Sequence, residues 1–470
     1  MFRLIAILVA VVCAPFGSVP LVAGSASPEP PARTLPVAPR PHLPSEKGMT
    51  RERARPDTDL DVDVLEIPRL EDLDPEKTHP ITVPLTGEIG PYGAPPSAFP
   101  GRAGEAKTKL VRTEGGNEGS ERAVVLGLAW LAKQQKDDGG WKYDAGSKES
   151  RTAATGMALL PFLAAGQTHK LTKEKGELKY QETVIAGLSY LMKSCAPTGP
   201  KAGRMSDNAY EQAIATLALC EAYGMTKDPT LKPFAQSAIN YIQKSQGANG
   251  SWGYAPFTDG DTSIVGWQVQ ALVAAKLSKD LVVDDRVIKK AIKFLDLASS
   301  GPRKAMYGYA DSDGAKPGTA LTASGLLSRY YIDGWGPNHP GMCDGVAGLL
   351  KHPPPDKADK GGVKDLYYYY YATQVVRFSA GEDWKTWNEG PKNADGTRKG
   401  GVRDWLVNAQ LRKDEPNRGS WDPEGGWFGT SCGRLGTTAV CVLTLEVYYR
   451  QPLLYKRGDD SEAVKMPEDK

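Results

Sequence analysis

The chain has 470 residues and a formal net charge of +2, with 58 Lys and Arg set against 56 Asp and Glu. So close a balance supplies no concentrated basic face for nucleic acid, and no nucleic-acid partner is expected. The length allows more than one domain.

The first residues read as an export signal. Arg3 gives a positive start, Leu4 to Ala14 form an apolar run ended by Pro15, and Ala23, Gly24, Ser25 and Ala26 offer a cleavage region. A bilayer takes about 20 apolar residues to cross, and this run is too short. Residues 1–26 are therefore expected to be a signal peptide, the protein to be exported (periplasmic or extracellular), and no integral membrane span to follow. Removing Cys13 leaves Cys195, Cys220, Cys343, Cys432 and Cys441, an odd number that leaves at least one thiol unpaired. With no CxxC pair and no Cys/His ligand spacing, neither metal nor cofactor is expected.

Residues 27–118 are expected to form a Pro-rich, largely disordered linker. Prolines crowd its start (Pro28, Pro30, Pro31, Pro36) and its end (Pro91, Pro95, Pro96, Pro100), and such a stretch buries too little to offset the entropy of ordering. Within it, Leu60 to Leu65 alternates acidic and apolar residues, as a solvated linker or a docking segment would.

From Glu121 the texture becomes helical. Six apolar pairs close helix-like stretches: Trp130-Leu131, Tyr190-Leu191, Tyr241-Ile242, Phe294-Leu295, Leu349-Leu350 and Trp405-Leu406, spaced 60, 51, 53, 55 and 56 residues apart. A steady period of this kind marks an array of one supersecondary unit. Each amphipathic stretch is followed by a Gly-rich turn and then by a stretch apolar nearly all round, such as Ala213 to Leu219 or Gly266 to Leu272. A helix without a polar face is a buried one. Residues 119–455 are thus expected to hold six helical hairpins, each an outer helix and a buried inner helix, and residues 456–470 a polar tail.

Three turns share a tighter signature. Gln135 to Trp141 and Gln246 to Trp252 read Gln-x3-Gly-x-Trp, and Gln410 with Gly419-Ser420-Trp421 repeats it with five extra residues. The Gln stands where the end of a helix leaves carbonyls without partners. The Gly permits backbone closed to other residues, and the Trp offers a large apolar plate to the next repeat. This staple resembles the QW repeat of squalene and oxidosqualene cyclases, within the terpenoid-cyclase/protein-prenyltransferase superfamily. The resemblance implies an all-α fold, an α6/α6 toroid with six inner and six outer helices; the period alone also allows an open solenoid.

The family chemistry is missing at the matching positions. A squalene cyclase carries Asp-x-Asp-Asp-Thr at an inner-helix start, whereas Thr258-Asp259-Gly260-Asp261-Thr262 puts Gly260 at the proton donor's place. Asp259 and Asp261 remain candidates for a diverged cyclase, and Asp261 also suits a helix N-cap. No Asp-x-Cys pair exists for a prenyltransferase zinc. A carboxylate-pair glycosidase needs two acids facing one cleft. Asp207, Glu211, Asp259, Asp261, Asp311, Asp313 and Asp365 lie near inner-helix mouths, but turns and caps also use Asp. Tyr367 to Tyr371 put five rings in a row, and some must face the axis if the ring closes. The rim and cavity candidates are Asp207, Tyr210, Glu211, Trp267, Tyr309, Tyr368, Tyr369, Tyr371 and Arg434, with Tyr254, Phe257, Trp335, Trp427 and Phe428 as further loop aromatics. The expected function is binding of an apolar small molecule or peptide in the central cavity or at the rim. A diverged cyclase, a glycan-active enzyme and a scaffold are the alternatives.

Overall fold

The computed structural model describes residues 97–146, 150–170, 178–355, 364–413, 415–423 and 425–455. The chain divides into two units, Met1–Glu66 and Ile67–Lys470, and every described residue belongs to the second. The expected signal peptide, the Leu60–Leu65 segment and the tail from 456 lie outside the described residues.

Six outer–inner pairs follow a lead helix α1 (Gly104–Thr113): α2 (Glu118–Lys133) with α3 (Arg151–Ala164), and α4 (Gln181–Ser194) with α5 (Ala209–Thr226). Next come α6 (Lys232–Lys244) with α7 (Thr262–Leu277), and α8 (Asp285–Ala298) with α9 (Ala320–Ile332). The last pairs are α10 (Pro340–Leu349) with α11 (Leu366–Ser379), and α13 (Gly401–Ala409) with α14 (Trp427–Leu445), which is broken at Gly433. A short helix α12 (Gly381–Glu389) precedes α13, α15 (Val447–Arg450) ends the domain, and the only strands among the described residues pair Ser299–Ser300 with Met306–Tyr307. Each inner helix packs on the next and α14 returns to α3, so the array is a closed α/α toroid, not an open solenoid.

The two layers follow from composition. In α7, every residue from Thr262 to Ala275 is buried. In α8, only Val287, Ile288, Ala291, Phe294, Leu295 and Ala298 are, a single stripe at helical spacing.

The Gln-x3-Gly-x-Trp turns supply the links between repeats. Gln135 Nε2 donates to Gly139 O in its own turn (2.8 Å) and to Thr183 O in the next outer helix (3.0 Å). Gln246 does the same to Gly250 O and Val287 O. Gln410 donates to Gly419 O and, across the ring, to Ala123 O of the first repeat at 2.8 Å. The indole Nε1 atoms of Trp141, Trp252 and Trp421 donate back to Leu131, Ile242 and Leu406 O, in each case the aliphatic member of an outer-helix pair. Gly139, Gly250 and Gly419 adopt φ of +87°, +93° and +94°. A Cβ there would also stand 2.4, 2.1 and 2.3 Å from a carbonyl of the next outer helix, so both conformation and contact require Gly.

Residues 97–117, expected to belong to the linker, are folded instead. Ala98 N donates to Gly224 O, and Arg102 is wholly buried, with Nε on Arg450 O (2.7 Å) and NH1 on Glu221 Oε2 (2.8 Å). Farther along, Glu114 O accepts from Trp384 Nε1, and Gly115 O from Asn388 Nδ2 and Arg403 NH1. The segment straps the end of the toroid where inner helices finish. Its few apolar residues gave no sign of this, because its anchor is a charge paired with a carboxylate 119 residues away.

Removing one partner of a buried ion pair costs about 3–5 kcal/mol. Arg102→Met is therefore expected to destabilise the domain by about that amount, as read by urea denaturation, and Glu221→Met by at least as much, since buried Arg450 also lies by Glu221. An unchanged urea midpoint in Arg102→Met would contradict the strap's dependence on this pair.

Candidate functional site

At the opposite end, the inner-helix N-termini meet in a rim tied together by side chains. Ser150 Oγ donates to Glu211 Oε1 at 2.8 Å, Tyr210 and Ser263 share a hydroxyl contact, and Thr262 N donates to Tyr309 O. Tyr367 Oη donates to Ser263 O (3.4 Å), and Leu435 N donates to Asp144 Oδ1 (2.9 Å), which joins the last repeat to the first.

Asp261 sits at the centre of this rim. It is the N-cap of α7: Oδ1 accepts from Ser263 N (2.9 Å), Ile264 N (3.3 Å) and Ser263 Oγ. The cap reading holds, but the residue is only 1% exposed, and Oδ2 is buried without a well-formed hydrogen bond. Burial raises its pKa above the ordinary carboxylate value, outweighing the Ser263, Tyr309 and backbone contacts that favour the anion. Tyr309 and Tyr254 join their hydroxyls at 3.0 Å beside it, and the Tyr254 ring lies 5.9 Å from Tyr210. On the other side, Tyr367 packs edge-on to Trp427 at 5.0 Å and tilts against Phe428 at 5.9 Å. The domain buries nearly all its rings, yet Tyr254, Tyr309 and Trp427 stay 46%, 40% and 52% exposed.

The remaining acids do not converge on Asp261. Asp259, its partner in the cyclase-like reading, is exposed and accepts from Asn249 N at 2.9 Å, holding the turn. Glu211 is occupied by Ser150 and Ser206, and Asp207 is exposed and paired with Arg204. Asp311 accepts from Asp313 N, and Asp311, Asp313 and Asp365 are exposed. Arg434 pairs with Asp422 at 2.5 Å and Ser420 at 3.1 Å, so the rim's own groups hold it. Gly260 has a structural cause: a Cβ there would stand 1.8 Å from Trp252 O, so the backbone admits no acid at that position.

The axis is filled. Trp267, expected to line a cavity, is 1% exposed, stacks on Tyr370 at 5.5 Å and donates Nε1 to Tyr367 Oη at 3.1 Å. Tyr370 and Tyr371 are 1% and 0% exposed, which leaves no water-sized gap beside them. Tyr370 Oη in turn meets Gln270 and Arg450 NH1, so the ring column runs into the buried charges at the strapped end. Tyr368 and Tyr369 point the other way: their hydroxyls donate to Leu349 O and Pro353 O, and their rings pack near Trp387 and Trp405. Of the five tyrosines, 367, 370 and 371 face inward, the i, i+3, i+4 set of one helix face. Ser263 escaped notice in the sequence, since a Ser in the first turn of a helix has nothing to distinguish it. Glu221 did leave a signal: a lone acid inside the apolar run Leu217 to Ala222 needs a buried cation.

The Asp261 shift makes a testable sign. Its folded-state pKa stands above the unfolded value of about 3.9, so the folded chain holds the proton more tightly. The corresponding stability is complete below the unfolded value and is lost as pH rises toward the folded one. Asp261→Asn keeps a good cap and is expected to gain stability relative to the native chain as pH rises above the unfolded carboxyl value of about 3.9, in urea melts. A pH-independent difference would refute the raised pKa.

No protein-family model and no curated protein matches the chain. Among solved structures, it is similar to the GH76A α-1,6-mannanase of Salegentibacter sp. HEL1_6 (10% identity, TM-score 0.48, 70% of this chain and 99% of that one). It is also similar to the GH76 α-mannanase of Bacteroides thetaiotaomicron (12%, TM-score 0.47, 73% and 98%). A third is a variant of the type II terpene cyclase MstE from Scytonema (14%, TM-score 0.40, 73% and 99%). All three are α/α toroids, and at these identities no residue role passes from them to this chain.

Proposed function

We propose that this is an exported binding protein of squalene-cyclase-like descent that holds a peptide segment on the rim where its inner helices begin. The observation that carries the reading is the exposure of Tyr254, Tyr309 and Trp427 around the buried Asp261 carboxyl, whose Oδ2 lacks a well-formed bond. Exposed rings give apolar area, the Tyr254 and Tyr309 hydroxyls give direction, and a peptide presents both. The packed axis at Trp267, Tyr370 and Tyr371 moves the reading from the central cavity to the rim. The two enzyme alternatives have less support: Gly260 admits no proton-donating acid, and among the described residues the rim acids Glu211 and Asp259 are bonded to other groups than Asp261. Among the described residues no helix is long and apolar enough to cross a membrane.

Panning a displayed peptide library on the full chain tests the reading. Selected peptides are expected to lose about tenfold in affinity, about 1.4 kcal/mol, on Trp427→Ala and on Tyr309→Ala. No enrichment, or peptides indifferent to both substitutions, would sink it. Turnover of oligosaccharides abolished by Asp261→Asn would favour the glycan-active alternative.

A further inference from the structure

A groove of about 640 Å³ opens on the outer layer, away from Asp261. Its floor is one face of α6, with Pro233, Gln236, Ser237, Asn240, Tyr241 and Lys244 at i, i+3, i+4, i+7, i+8 and i+11. Its walls are the loop from Pro197 to Asp207 and the tip Pro256-Phe257.

Charge is concentrated here. Lys201, Arg204 and Lys244 line the groove against Asp207 alone, an excess of two that equals that of the whole chain. Arg204 pairs with Asp207, while Lys201 and Lys244 form no ion pair with a described residue. Phe257 adds an apolar wall: it is 60% exposed and holds φ +64°, a left-handed conformation a bulky residue rarely adopts. Such a residue persists only when its surroundings impose it, and that favours a functional reading of its placement. Here Phe257 N is pinned to Ser245 O at 2.9 Å.

We propose that this groove docks an acidic peptide that carries an apolar side chain beside its carboxylates. The face from Pro233 to Lys244 runs roughly 16 Å at 1.5 Å per residue, which matches about five extended residues. The carboxylates pair with Lys201 and Lys244, and the apolar side chain packs between Phe257 and Tyr241. A glycan fits less well, because the Gln236 amide, the Ser237 hydroxyl and Asn240 Oδ1 on the floor already have partners. Gln236 exchanges bonds with Val282 N and O, Asn240 Oδ1 accepts from Gln236 and Gln243, and Ser237 Oγ donates to Ala196 O. The lysines Lys201 and Lys244 and the ring of Phe257 favour carboxylates and an apolar side chain over neutral hydroxyls.

The test uses the full chain and a fluorescein-labelled ten-residue peptide alternating Glu with Leu or Phe, beside the same peptide with Gln for Glu. Anisotropy is expected to show the Glu peptide binding at least tenfold tighter than the Gln peptide, with affinity falling as salt rises. Lys201→Glu with Lys244→Glu is expected to weaken it tenfold or more. Phe257→Gly is expected to weaken it several-fold while the melting temperature holds or rises, since Gly takes the positive φ without strain. Trp427→Ala should leave this binding unchanged, which separates the groove from the rim reading. Equal binding of the two peptides, indifference to the double charge reversal, or tighter binding of an oligouronate than of the Glu peptide would overturn the proposal.

Discussion

The architecture depends on one repeated bond pair: a Gln amide nitrogen shared between a carbonyl of its own turn and a carbonyl of the next outer helix. The amide has two hydrogens, and each finds an acceptor the helices leave spare. At Gln135 and Gln246 this fixes a repeat to its successor, and at Gln410 the same bond fixes the last repeat to the first. A helical array with a staple only between successors would have two free ends. The Gln410–Ala123 bond removes them, together with the packing of α14 on α3. The turn Gly and the indole belong to the same device, since the Gly permits close approach and the Trp returns a bond to the outer helix it follows.

Closure creates an axis, and this chain fills it. Rings from α7 and α11 stack from the rim inward and end on Arg450, which lies by Glu221 and the Arg102 strap. Tyr370 spans the two regions, with a ring in the apolar stack and a hydroxyl among the charges. Burying such a network is costly unless its members satisfy one another. Glu446, wholly buried with neither oxygen hydrogen-bonded, is held well above the usual carboxylate range by burial. With the axis packed, the two proposed recognition surfaces lie at the margins of the toroid. The rim and the α6 groove both use the loop between Trp252 and Asp261, through Tyr254 on one and Phe257 on the other.

The site differs from a carboxylate-pair enzyme in a specific respect. Among the described residues, Asp261 has its pKa raised by burial and is bonded by hydroxyls and backbone rather than placed beside another carboxyl. The missing acid at Gly260 is no loss confined to one side chain. The backbone there passes against Trp252 O, so the turn shape itself excludes a side chain.

The sequence by itself determined the repeat, the two layers and the staple, because each is written in local spacing: apolar periodicity, a Gly at a fixed offset, a Trp two residues on. It also determined that Asp261 caps its helix, since a cap depends on the next three residues. Only the tertiary structure decided the rest. Ring closure rests on a bond 287 residues apart in sequence. The order of residues 97–117 rests on a buried ion pair that composition does not show. The five tyrosines read alike in the chain, yet helix rotation sends three inward and two outward. Asp261 and Asp259 stand together in the chain as candidate acids, and burial makes one a raised acid inside the rim and leaves the other a solvated part of a turn. Side-chain direction and solvent exclusion are properties of packing, and packing is set by residues far away along the chain.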